Sequence, residues 1–94
     1  MNIQIPKIVT PITVTTTAKT LAALKGSALS VNTQRVTIRP AATGIIWHAG
    51  VAVAATHIPV LTDDLTLEGS PKGLDNITLI VASGTVGGWL IEEA

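Results

Sequence analysis

Arg35-Val36-Thr37-Ile38-Arg39-Pro40 alternates polar or charged side chains with β-branched apolar ones over one strand length and then stops at a proline. A period of two sets Val36 and Ile38 on one face and Arg35 and Arg39 on the other, the pattern of a strand with one buried and one wet side. Downstream the same punctuation repeats. Gly44 opens Ile45-Ile46-Trp47-His48 and Gly50 closes it, Val51 and Val53 alternate before Pro59, and Asp63-Asp64 form a turn into Leu65-Thr66-Leu67-Glu68. Gly69-Ser70-Pro71-Lys72-Gly73 reads as a loop. Asn76-Ile77-Thr78-Leu79-Ile80-Val81-Ala82 is the most apolar run and is expected at the centre of a sheet. Ser83-Gly84 turns into a last strand over 85–92, so that 83–88 reads as a hairpin, and Gly87-Gly88 predict a bulge or a close backbone approach.

Upstream of residue 35, Ile12-Thr13-Val14-Thr15-Thr16-Thr17 is almost wholly β-branched and predicts another strand. Residues 18–29 have helical composition, with Leu21 and Leu24 three apart, Thr17 as a candidate N-cap and Gly26 placed as a C-terminal glycine. One short helix within 18–26 and an irregular connection are the two expectations there. In residues 1–9, Ile3 and Ile5 share one side of a period-2 pattern while Pro6 forbids a central strand position, which predicts an extended arm or an edge strand. Six to eight short strands at roughly ten-residue spacing predict an all-β domain over 10–94, an antiparallel β-sandwich of jelly-roll type.

Composition narrows the function. Six Lys and Arg balance six Asp and Glu, so the surplus of positive charge that nucleic acid or an anionic membrane requires is missing. Only 13% of the 94 residues are charged, below the roughly 25% usual for a soluble domain, which suggests a surface partly covered in an assembly. There is no cysteine, so disulfides and thiolate ligation are not available. The N-terminal residues lack the basic-then-apolar layout of a signal peptide, and no apolar run approaches the ~18 residues that span a bilayer.

No constellation points to catalysis, and neither a cofactor nor a metal is expected. His48 and His57, with Asp63 or Asp64, would make a nominal metal set, but their spacing matches no zinc pattern, and a partly buried polar tip beside Trp47 is the simpler expectation. The acids Asp63, Asp64, Glu68, Asp75, Glu92 and Glu93 fall mostly at turns and near residue 94, where solvated charges normally sit. Ser27, Ser30, Ser70 and Ser83 lack a nucleophile context.

What remains is a set of interface candidates: Ile3, Ile5, Arg35, Arg39, Trp47 and Trp89. In a chain without Phe or Tyr, each tryptophan is expected first to fill core space, then to anchor a subunit interface, then to stack on a ligand. Arg35 and Arg39 form an outward pair, solvated or bound to a neighbouring chain's carboxylates.

Over 34–92 the order of Arg35-Val36-Thr37-Ile38-Arg39, Gly44-Ile45-Ile46-Trp47, Pro59-Val60-Leu61, Leu65-Thr66-Leu67 and Leu74-Asp75-Asn76-Ile77-Thr78-Leu79-Ile80 resembles small β-sandwich virion proteins of tailed bacteriophages. The resemblance spans about two thirds of the chain. It implies a capsid decoration or cement protein, or a head-fibre or tail-associated component. The implied protein is a homo-oligomer (trimer or dimer) that assembles in the host cytoplasm and binds the major capsid protein or another virion protein. The alternative, of a different class, is a small carbohydrate-binding β-sandwich with Trp47 or Trp89 as its platform.

Overall fold

The computed structural model of the chain describes residues 7–50, 52–57 and 60–94. Seven strands and two single-turn helices follow one another in the order β1 (Lys7–Val14), β2 (Lys19–Thr20), α1 (Leu21–Lys25), β3 (Arg35–Pro40), β4 (Ile45–Ala49), β5 (Leu65–Glu68), α2 (Pro71–Leu74), β6 (Ile77–Val81) and β7 (Val86–Glu93). The strands form two antiparallel sheets, β1-β7-β3-β5 and β2-β6-β4. Successive strands alternate between the sheets, which is jelly-roll connectivity. An eighth strand of a jelly roll would lie beside β4, and there the described residues offer a bridge, Ile46 to Val60, and a bond from the Leu61 amide to the Ile45 carbonyl at 2.7 Å.

The period-2 pattern accounts for the core. Ile12, Val14, Val36, Ile38 and Leu90 of the first sheet face Ile45, Ile77, Leu79 and Val81 of the second, and Leu21, Leu29, Leu61 and Leu74 close the ends. All five residues of β6 are buried, because its outer side is covered too. Val53 lies over Ile46 and Ile80, and its amide donates to the Thr78 hydroxyl at 2.8 Å. The 54–57 turn beneath is closed by two bonds of 2.9 Å, from the Ala54 amide to His57 Nδ1 and from the His57 amide to the Ala54 carbonyl.

Several local expectations are corrected. The helix begins three residues later than Thr17 would cap it, because Lys19 and Thr20 are drawn into the sheet against Leu79 and Thr78. Thr20 is the N-cap, its hydroxyl accepting the Ala23 amide, and Gly26 takes the left-handed C-cap at φ 90°. The 69–73 loop contains a helical turn, nucleated by Pro71 at the first position and by the Ser70 hydroxyl accepting the Gly73 amide. Residues 83–88 are not a hairpin: β6 and β7 belong to different sheets, and the segment crosses between them with Gly84 at φ 68°. The register runs unbroken through both glycines against β1 and through Gly88 against β3, so neither is a bulge, and Gly88 marks a close approach to the β3 backbone.

Glu92 is a further correction, since it is not a solvated acid but 1% exposed in the interior. One carboxylate oxygen accepts the Ser30 amide at 2.8 Å and the Thr33 hydroxyl at 3.0 Å; the other meets Lys25 Nζ at 2.7 Å. Burial pushes this carboxyl up, but the bonds from Lys25, Ser30 and Thr33 together outweigh it and hold the group below its ordinary value. It ties α1 and the 26–34 connection to β7.

Candidate functional site

Three of the four sheet edges and one of the two outer faces are blunted. β2 has two residues and β5 four, β4 is flanked by Val60 and Leu61, and Val53 covers the outside of the second sheet. Short or covered edges are how sheets avoid pairing with other chains. The outside of β1-β7-β3-β5 is different. Its large apolar side chains stand in water, Val9 at 54% and Trp89 at 42% exposure.

The register lays this face out in rows. One row runs Lys7, Glu93, Arg35, Glu68; the next runs Val9, Ile91, Thr37, Thr66; the third runs Pro11, Trp89, Arg39, with Asp64 beside Arg39. The β1 and β7 side therefore presents a contiguous apolar patch of Val9, Pro11, Trp89 and Ile91. The β3 and β5 side is polar, and its groups pair with one another. Arg39 holds Asp64 through Nε at 3.1 Å and Nη2 at 3.0 Å, Arg35 Nη2 meets Glu68 at 3.1 Å, and the Thr37 and Thr66 hydroxyls share a bond of 3.1 Å. The hydrogen bond and charge of Asp64 push the Arg39 guanidinium further up from its already high value. Three cations (Lys7, Arg35, Arg39) and three anions (Asp64, Glu68, Glu93) leave the face neutral.

β1 guards its own edge. The Ala41 amide donates to the Gly87 carbonyl at 2.9 Å, so odd-numbered residues of β7 turn their main-chain groups to β3 and even-numbered ones turn theirs to β1. Across from Trp89, Pro11 thus directs its hydrogen-free nitrogen to the open side. A proline there removes the donor an added strand would use. The face, more than the edge, is the available surface.

Of the sequence-predicted candidates, Arg35, Arg39 and Trp89 come together on this face, with the arginines engaged by carboxylates of their own chain. Trp47 stands on the other sheet and packs, partly buried, against the core. Ile3 and Ile5 lie outside the described residues, whereas residues 7–9 are already strand β1. Val9, Pro11 and Ile91 were missed, although their odd-numbered alternation with Ile12, Val14 and Leu90 carries the signal. His48 and His57 do face each other, with ring centroids 4.7 Å apart and planes tilted by 32°. No third potential ligand joins them among the described residues. Comparison with protein families, curated proteins and solved structures finds no match for this chain.

Proposed function

We propose that this chain is a non-enzymatic structural protein that works by docking the outer face of its four-stranded sheet on another protein surface. The observation that carries this reading is the exposed, neutral, half-apolar face around Trp89, on a sandwich whose other outer face is covered. Interfaces of this kind take their affinity from a desolvated aromatic anchor within a polar rim. The setting we propose is the virion of a tailed phage, with the chain as a capsid decoration or cement protein; the resemblance of residues 34–92 supports that setting.

Trp89→Ser is the direct test. Trp89 is half exposed, so its loss should leave the fold intact, as circular dichroism will check. Loss of a central tryptophan anchor typically weakens binding by about 2 kcal/mol or more, roughly 30-fold. The chain should be found in purified virions in fixed copy number, and the variant should be depleted from them at least tenfold. An undiminished variant would remove this face from the function.

The second reading, carbohydrate binding, is favoured by one observation: Trp89 lines a hollow of the sheet face together with the polar side chains of Lys7 and Arg39 and the apolar Val9 and Ile91. Only Trp89 qualifies as a platform, because Trp47 packs against the core. Titrating a Trp47→Phe variant with glycans leaves Trp89 as the sole indole reporter. A saturable fluorescence shift supports the sugar reading, and an unchanged spectrum across the panel opposes it.

A further inference from the structure

We infer that the occupant of this face is a second copy of the same chain, laid face to face about a two-fold axis parallel to the strands. The inference rests on the docking reading above and names its partner as the same face of a second copy, so that the chain enters the particle as a pair and loss of the Trp89 contact depletes it by undoing the pair. Along the first row the signs run plus, minus, plus, minus through Lys7, Glu93, Arg35 and Glu68. Read backwards, such a row is its own complement, which is the condition for an isologous contact. An axis along the strands reverses the strand order while keeping each row level. β1 then lies over β5 of the partner subunit and β7 over its β3. Lys7 meets Glu68 of the partner subunit, Glu93 meets Arg35 of the partner subunit, and each contact occurs twice.

The other rows fit the same reversal. Trp89 falls over Arg39 of the partner subunit, whose guanidinium is already held by Asp64 through two nitrogens, and a guanidinium over an indole face is a favourable stack. Val9 and Ile91 fall over Thr66 and Thr37 of the partner subunit. Because those two hydroxyls bond each other at 3.1 Å, covering them with apolar side chains leaves one hydroxyl hydrogen rather than two to find another acceptor, which limits the desolvation cost. A foreign surface would need to reproduce this alternation; a second copy supplies it by symmetry.

Four strands about 4.8 Å apart, with a usable length of roughly 25 Å, cover about 500 Å² per copy, near 1,000 Å² for the pair. That is the lower limit for a specific interface, so the dimer is expected to be weak, with a dissociation constant in the micromolar range or above.

Sedimentation equilibrium of the wild type, Lys7→Glu, Glu68→Lys and an equimolar mixture of the two variants tests the arrangement. The wild type should show a concentration-dependent monomer–dimer equilibrium. Each variant alone turns two attractive contacts repulsive and should weaken dimerisation about tenfold or more. In the mixture, the carboxylate introduced at position 7 of one copy faces the ammonium introduced at position 68 of the other, and dimerisation should return to within about threefold of wild type. Both positions are exposed, and circular dichroism should show each variant folded. Wild type that stays monomeric at millimolar concentration overturns the inference, and so do single variants that weaken the dimer without recovery on mixing. A monomeric wild type whose Trp89→Ser variant is still lost from virions would remove the second copy as occupant and leave the docking reading standing.

Discussion

Glu92→Ala is expected to lower the melting temperature by about 15 °C, the first of the two largest effects. Removing one partner of a buried ion pair typically costs about 3 to 5 kcal/mol, because the other is left uncompensated. Here Lys25 can still reach water, which places the effect near the lower figure, while the Ser30 amide and the Thr33 hydroxyl lose their acceptor. About 3 kcal/mol corresponds to roughly 12 to 24 °C for a domain of this size. Glu92→Gln keeps an acceptor for Ser30 and Thr33 but turns an amide N–H donor toward the Lys25 ammonium in place of the carboxylate oxygen, so it should cost less than alanine while still losing the ion pair. The acid dependence follows the same geometry. A carboxyl held below its ordinary value in the folded state contributes its full stabilisation above the unfolded value of about 4.3, and loses it as the pH falls through the folded value. Urea unfolding between pH 7 and pH 3 should therefore show the gap between wild type and Glu92→Gln closing below about pH 4. A gap that stayed constant would mean that the charge on Glu92 does not stabilise the fold.

Gly88→Ala is expected to destabilise by about 3 kcal/mol, whereas Gly87→Ala, one residue away, should change stability by less than about 0.5 kcal/mol. The two glycines differ in what a side chain would meet. A methyl at Gly88 would sit 2.5 Å from the Arg39 carbonyl oxygen and 3.3 Å from the Pro40 Cα, both backbone atoms that can move only by displacing β3. At Gly87 the nearest atom is the Ile12 carbonyl oxygen at 3.8 Å, an ordinary contact. The Trp89 face is built on this β3–β7 approach, so Gly88→Ala should also weaken the Trp89-dependent interaction, while Gly87→Ala should not. Equal destabilisation by the two substitutions would contradict the account.

Much of the sandwich was legible because period-2 alternation acts locally. Val36 and Ile38, Ile45, and Ile77 to Val81 declare their buried faces from neighbours one or two residues away, and Gly26 declares a helix end by the conformation only glycine adopts easily. The misread elements depend on partners distant in sequence. Whether Ser83-Gly84 turns back on β6 or crosses to the other sheet depends on where β1 and β3 offer edges for β7. Glu92 looks like a solvated acid until Lys25, Ser30 and Thr33, some sixty residues upstream, converge on it. Trp89 and Trp47 have similar local surroundings in sequence. What separates them is that Trp89 takes an outward position on a sheet whose outside no described segment covers, while Trp47 takes an inward one.

As proposed, the Trp89 face binds this chain into a phage particle. Quantitative mass spectrometry of purified virions, assembled with wild-type or Trp89→Ser chain, tests it most directly. The account predicts a fixed, stoichiometric copy number for the wild type and at least tenfold depletion of a folded Trp89→Ser variant. Absence of the wild-type chain from the particles, or equal incorporation of both, would contradict it.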